Sequence, residues 1–506
     1  MPQSRSRAFS AGAAASSASH RRSAAPGTVT SRSRAANMAH SVFAGLAQGV
    51  RSSGCGCAQR RTRTIATAMK DGNKKKLPAD IKTATRLVHP RSGGCLDGYD
   101  ATAPPIYQTA TFGQPAATEN GEYDYTRSGN PTRTLLEDHL AALEGADRAF
   151  AFASGMAALA ACTRLVSTGG HIVAGDDLYG GTSRLLSRVV PGLGISVSNV
   201  NTCDVEELRK AIIPGKTQLV MLESPTNPRM QICDIEACAR VAKEAGCVVV
   251  VDNSIMAPTF CRPLDLGADV VMTSGTKFLG GHSDVTAGML SVRGKDVADK
   301  IAFCQNAEGA ILGPHDCWLL LRGMRTMGVR MERQAYNCAR LAEYLKDHPL
   351  VTKLNFAGLE SHPGHDVHWR QASSGGSLLS FTTGDIVASK AIVERTQLFK
   401  ITVSFGNVAS QISLPCFMSH ASIPAEVRAE RGLPDDLVRI SVGIEDADDL
   451  LRDLDGAMMQ AMEQAGMTPK SHLAEVEAAG SAVLTEREKT LLDRVRHLEA
   501  RLKELE

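Results

Sequence analysis

Between residues 130 and 275 short apolar runs alternate with stretches of helical spacing. Runs at 148–152, 171–174, 195–200, 219–222, 248–251 and 270–272 read as strands, several rich in β-branched residues. Between them lie helical patterns. One begins at about Thr132, keeps Leu135, Leu136, Leu140 and Leu143 on one face, and stops at Gly145. Others run from Met156, over 183–190 and over 235–245. Such alternation predicts an α/β fold, with a mostly parallel sheet covered by helices on both faces. A long helical pattern extends from Cys317 to about Leu345, with Trp318, Leu321, Met324 and Met327 on one face. From Val351 to about Ala465 the elements shorten and mix: a strand at 378–382, a helix at 387–398 and a strand at 437–442. This part reads as a smaller α+β unit.

The ends differ from the middle. Residues 71–131 are polar and turn-rich, too long for a simple loop, and are expected to lie as an arm against another subunit. Near the C-terminus, Thr485 and Glu488 form a capping-box pattern. Leu484, Leu491, Val495, Leu498, Leu502 and Leu505 then follow the seam spacing of a short coiled coil, or the stripe of a helix packed on its own subunit. The expected division is 1–69 as a leader, 70–131 as the arm, 132–330 as a large domain, 331–465 as a small domain, and 466–506 as a helical extension.

Charge accounts for the leader. The first 70 residues hold ten Arg and one Lys but no Asp or Glu, among many Ser and Ala. That is the composition of an organelle transit peptide, with removal expected near 65–69. A nucleic-acid-binding arm is the rival, but only Phe9 and Phe43 interleave the arginines. The whole chain is nearly neutral, at +2, and no run approaches the ~20 apolar residues of a membrane span. The 13 cysteines show no metal-ligand spacing and mostly sit in apolar runs, which predicts a reducing compartment without disulfides or zinc.

Chemistry concentrates after two strands. The run 248–251 ends in Asp252, and Lys277 follows the 270–272 strand in Ser274-Gly275-Thr276-Lys277. Pyridoxal phosphate needs both: an amine for its Schiff base and a carboxylate beside its ring nitrogen. The hydroxyls of Ser274 and Thr276 suit its phosphate. So do the N–H groups of Gly155 and Met156, where a strand turns into a helix. Arg439, between apolar residues in L-V-R-I-S-V, needs an anionic partner: a substrate carboxylate or a structural acid.

The motifs extend well beyond this pair: A-P-P-I-Y-Q-T, Y-T-R-S-G-N-P-T, A-S-G-M-A-A, D-L-Y-G-G-T, E-S-P-T-N-P, V-D-N-S, S-G-T-K-F-L-G-G-H-S-D and L-V-R-I-S-V-G-I-E. From about Leu87 to Ala465 the chain resembles the Cys/Met-metabolism family of fold-type I pyridoxal-phosphate enzymes. Their architecture is that of aspartate aminotransferase, and they make and break C–S bonds at the β or γ carbon of amino acids. The stretches Q-N-A-E-G and P-C-F-M-S-H-A-S-I-P-A-E-V-R, and the Phe of V-S-F-G, are similar to the plant plastid branch, which cleaves L-cystathionine by β-elimination.

The resemblance implies roles residue by residue. Lys277 holds the cofactor and then acts as base at Cα. Asp252 pairs with the ring N–H, Ser254 braces it, Tyr179 stacks on the ring and Asn227 contacts the ring hydroxyl. Tyr125 and Arg127 reach a neighbour's cofactor phosphate across a dimer interface, within a homotetramer of such dimers. Tyr125 and Tyr179 join Lys277 as candidate catalytic groups. Arg439 clamps the substrate carboxylate, with Ser404 and Tyr125 in the same substrate site, and no metal takes part. His282 is expected to be structural. The plastid stroma is the expected compartment, the mitochondrial matrix the alternative.

One position and one stretch depart from relatives. Gly181 stands where methionine γ-lyases carry a cysteine, which argues against that activity. Ser404-Phe405-Gly406-Asn407-Val408-Ala409-Ser410 replaces a commoner S-L-G-G-V-E-S, so the rim of the site is altered. The same core residues serve γ-synthase and γ-lyase chemistry, and these remain open, as does a scaffold role through the C-terminal helix.

Overall fold

The structure is a computed structural model; it describes residues 81–90, 101–421, 425–469 and 471–473. The expected leader and the C-terminal coiled-coil pattern lie outside those residues.

Seven strands form the larger sheet: β1 (Arg148–Phe152), β2 (His171–Gly175), β3 (Ser196–Val200), β4 (Thr217–Glu223), β5 (Val248–Asp252), β6 (Val270–Ser274) and β7 (Gly288–Val292). Their order is β1-β7-β6-β5-β4-β2-β3. All neighbours run parallel except those of β7, which is antiparallel to both β1 and β6. The sheet is buried on both faces, which is why β4, β5 and β6 read as continuous apolar runs. Strand β7 went unpredicted, because G-M-L-S-V carries only two strongly apolar side chains before its final valine. A smaller five-stranded sheet contains β8 (Lys353–Asn355), β9 (Leu378–Thr382), β10 (Lys400–Ile401), β11 (Gln411–Ser413) and β12 (Val438–Ser441), in the order β10-β11-β12-β9-β8.

Helix ends follow local chemistry. Helix α1 (Pro131–Glu144) starts where the Asn130 side chain accepts from the backbone N–H of Thr132, with proline at the first position. It ends at Gly145, whose φ of 68° is the left-handed conformation that glycine tolerates. Helix α2 (Gly155–Thr163) is capped by Ser154, whose side chain accepts from the N–H of Ala157.

The helix expected from Cys317 to Leu345 is two helices, α3 (Pro314–Met324) and α4 (Met327–Lys346). The break has a local cause. The Gly323 carbonyl accepts from the Thr326 backbone N–H, the Thr326 hydroxyl and the Arg330 guanidinium, so no continuing helical bond is needed. Met324 and Met327, expected on one face, are both buried across the break. Helix α4 leads from one core to the next: Met331 and Ala335 pack with the larger sheet, Leu341 and Leu345 with the smaller.

The arm is partly held by its own chain. The Trp318 indole donates to the Pro104 carbonyl at 2.9 Å, and the Tyr107 N–H donates to the Thr132 hydroxyl at 2.9 Å. Beyond that the arm folds on itself, with Thr111 bridged to Tyr125 and Phe112 against Tyr123.

One glycine sets the spacing of the site. Gly288 opens β7 between Phe152 of β1 and Ser274 of β6. A Cβ there would overlap the Ser154 carbonyl and stand 2.7 Å from the Cα of Gly155, both rigid backbone. Gly288→Ala is therefore expected to cost about 1–3 kcal/mol through overpacking, read as a lower midpoint in denaturant unfolding. An unchanged midpoint would show that the turn at Ser154 has room to move.

Candidate active site

Parallel strands end at one edge, so polar residues at their carboxyl ends gather there. Asp252 closes β5, Ser274 closes β6 and Glu223 closes β4, while helix α2 begins just after β1. Between them lies a cavity of about 220 Å³. Its walls include Gly155, Met156, Tyr179, Asn227, Asp252, Ser254, Ser274, Thr276 and Lys277, nine of the residues expected at the site.

Lys277 sits in a wide turn after β6, with φ −91° and ψ −129°. Its Nζ donates to the Ser404 hydroxyl at 2.7 Å and lies 4.7 Å from the centre of the Phe405 ring. Burial, then the Arg439 charge, pull its pKa down to about 8, and Asp252 opposes them. Asp252 accepts from the Ser254 N–H at 2.9 Å, and burial raises its pKa. The Ser254 hydroxyl accepts from the Ser274 N–H at 2.8 Å, which ties the ends of β5 and β6 together. The Thr276 hydroxyl bonds both the N–H and the carbonyl of Ala287.

Arg439 reaches the same place from β12. It is fully buried, donates to the Asn227 side chain at 2.9 Å and to the Ser404 carbonyl at 2.8 Å, and leaves its Nε without a partner. Burial lowers its pKa to about 10. Ser404 thus touches both groups, the amine through its hydroxyl and the guanidinium through its carbonyl.

Two expected residues lie apart. Tyr125 is on the arm, 43% exposed, and Arg127 donates to the backbone and side-chain oxygens of Asn306 at 2.6 and 2.9 Å. Neither lines this chain's own cavity. His282 is exposed, and its Nδ1 lies 2.7 Å from the Gly280 carbonyl of its own turn.

Glu223 was not anticipated. It lines the cavity and stands in register beside Asp252. Burial, then Asp252 and Asp177, raise its pKa well above the carboxylate range. The signal was present in E-S-P-T-N-P: an acid closing a buried strand, as Asp252 closes the next.

The profile described as "Cys/Met metabolism PLP-dependent enzyme" matches residues 84–459. The chain belongs to that family. It is 59% identical over 383 residues to "Cystathionine beta-lyase, chloroplastic" of Arabidopsis thaliana, covering 76% of this chain and 82% of that one. The namesake of Mimosa pudica is 58% identical over 363 residues, covering 72% and 79%. Among solved structures, cystathionine gamma synthase from Xanthomonas oryzae pv. oryzae in complex with cystathionine superposes with a TM-score of 0.74 at 36% identity, over 76% of this chain and all of that one.

The Cys/Met-metabolism family uses pyridoxal phosphate, and the cavity fits it. Gly155 and Met156, whose N–H groups at the start of α2 have no intrahelical acceptors, line the cavity beside Ser274 and Thr276, which suits a phosphate. A half-buried carboxyl, Asp252, and an amine of lowered pKa, Lys277, line the same space. A cation set against Asp252, such as a protonated ring nitrogen, would draw its pKa back down.

The lowered pKa has a direct readout. In the cofactor-free protein, pH-dependent amine labelling of Lys277 is expected to reach half its maximum near pH 8. Arg439→Ala is expected to move that midpoint upward, since it removes a like charge. A midpoint near 10.5, the ordinary lysine value, would show that burial and the Arg439 charge do not depress this amine.

Proposed function

We propose that the chain is a plastid carbon–sulfur lyase, which cleaves L-cystathionine by β-elimination to homocysteine, pyruvate and ammonia. The observation that carries the chemistry is the Lys277–Ser404–Arg439 chain of contacts, at 2.7 and 2.8 Å. An amino acid whose α-carboxylate takes the Arg439 guanidinium has its Cα delivered to the Lys277 amine. What supports β- rather than γ-cleavage is the 58–59% identity to the two plant enzymes so named.

Lys277, Asp252, Ser254, Ser274, Thr276, Gly155, Met156, Asn227 and Tyr179 would hold the cofactor, with Lys277 as its covalent anchor. When bound, pyridoxal phosphate supplies a sink for the electron pair left when the Cα proton is removed. Arg439 orients the substrate through two parallel N–H bonds to its carboxylate, from the unpartnered Nε and from the Nη2 that now meets the Ser404 carbonyl, while Nη1 keeps its bond to Asn227. Lys277, its pKa lowered to about 8, takes the proton from Cα and returns one to the departing sulfur. Water completes the balance: cystathionine plus water gives homocysteine, pyruvate and ammonia.

Tyr125 and Arg127 would serve the neighbouring subunit. Their place outside this chain's cavity, on an arm without a core of its own, supports a site shared within a dimer, and the family resemblance supports a tetramer of such dimers. The plastid assignment rests on the chloroplastic relatives and the acid-free, Arg-rich segment 1–69. The destination of a fluorescent protein fused to that segment tests it.

Incubated with cystathionine, the purified protein is expected to yield pyruvate and homocysteine, and Lys277→Ala to yield neither. Formation of 2-oxobutyrate and cysteine would overturn the β assignment in favour of γ-lyase chemistry. Mixed and refolded together, inactive Lys277→Ala and Arg127→Ala chains should regain about a quarter of wild-type activity, since a quarter of randomly assorted sites combine two intact contributions. No recovery would place each site within one chain.

A further inference from the structure

Glu223 has a place in the site that the reaction itself does not explain. It ends β4, it is 6% exposed, and it stands beside Asp252 in the strand register. Its two oxygens do different jobs. Oε1 accepts the backbone N–H of Asn227 at 2.9 Å, and Oε2 accepts the backbone N–H of Tyr179 at 3.3 Å. Asn227 in turn accepts from Arg439 at 2.9 Å. One carboxyl therefore touches the loop that follows β2, carrying Tyr179, and the loop that follows β4, carrying Asn227.

Neither loop is braced by strand pairing at these residues. Tyr179 precedes a one-turn helix at Gly180–Arg184 without a side-chain cap of its own. The space between its ring and Gly181 is tight. A Cβ on Gly181 would meet the Tyr179 ring at 2.5 Å and the Met156 sulfur at 2.8 Å. The ring thus has a defined lie, provided its backbone is held. A buried carboxyl between two other acids is costly unless its oxygens are bonded, and these are. Burial, then the nearby Asp252 and Asp177, push Glu223 toward its neutral form. Asp252 keeps the electrostatic task, and Glu223 keeps the geometric one.

We propose that Glu223 is a positioning residue of the cofactor site, setting Tyr179 and the Asn227–Arg439 pair in one frame, beside the Thr226–Asp177 bond that joins the same two loops. The proposal rests on the cofactor-facing roles proposed above for Tyr179 and Asn227.

The test compares Glu223→Gln, Glu223→Ala and Tyr179→Ala, each prepared without cofactor and titrated with pyridoxal phosphate. Glutamine keeps the size but replaces one acceptor by a donor, so the dissociation constant should rise roughly tenfold. Alanine removes both acceptors and should raise it about a hundredfold. The circular dichroism of the bound cofactor should change in shape in Glu223→Gln, and KM should rise by a larger factor than kcat falls, because the carboxylate clamp is loosened along with the stack. A merely structural role would lower the melting temperature while leaving the dichroism of the bound cofactor intact. If Glu223→Ala fails to fold, the isosteric glutamine variant carries the test alone. Wild-type affinity and dichroism in Glu223→Gln, with binding weakened in Tyr179→Ala, would overturn the proposal and leave the site reading standing. Wild-type affinity in Tyr179→Ala would remove the premise itself.

Discussion

A half-buried carboxyl and a half-buried amine sharing one small cavity are the constraint around which the rest is arranged. Asp252 is carried inward because it closes a strand covered on both faces, and burial favours its neutral form. Lys277 is carried inward by the turn after the next strand, and burial favours its neutral form too. Each partly offsets the other, and each has a neutral hydrogen-bond partner, Ser254 for the carboxyl and Ser404 for the amine. Such a pair is a poor way to stabilise a fold, and a good way to bind a group that supplies both a cation and an electrophile.

The smaller sheet completes that pair. Arg439 lies on β12, yet its guanidinium reaches the larger sheet's Asn227, and Ser404 turns back to the Lys277 amine. The approach is close. Gly406, at φ 82°, lies so near that a Cβ would stand 3.0 Å from the Lys277 carbonyl carbon, and Val408 donates to the Gly281 carbonyl. Arg330 closes the arrangement from behind, donating to Phe278 and Gly323 carbonyls at 2.9 Å. One buried guanidinium thus sets both the turn that follows the reactive lysine and the break between α3 and α4. The Phe405 ring fills the remaining gap, against Phe278 and beneath both cations. The altered rim seen in the sequence therefore falls beside the reactive amine itself.

Local pattern made much of this legible. Strands β4, β5 and β6 are apolar because both faces are covered, so their ends could be read, and with them Asp252, Ser274 and the lysine beyond. Caps and stops such as Asn130 with Pro131, and Gly145, are short-range chemistry and were equally readable. Lys277, Asp252, Gly155 and Met156 could be assigned because each sits next to a strand or helix end, where the backbone itself dictates direction. Tyr125, Arg127, Tyr179 and Asn227 could be named from family motifs alone, since nothing nearby in the chain says what they face.

Contacts between distant segments decided the remainder. Helical spacing runs on through Arg325 and Thr326, and only Arg330, folded back onto the Gly323 carbonyl, shows where the helix ends. Strand β7 is antiparallel and begins at a glycine chosen by the backbone of Ser154 and Gly155, a hundred and more residues earlier. The pairing of β4 with β5 puts Glu223 beside Asp252, and loops 178–181 and 225–228 meet on its carboxyl. Periodicity encodes which face of an element is buried, because that depends on neighbours a few residues away. Which carboxyl lies beside which amine depends on sheet order and register, and those are properties of the assembled fold.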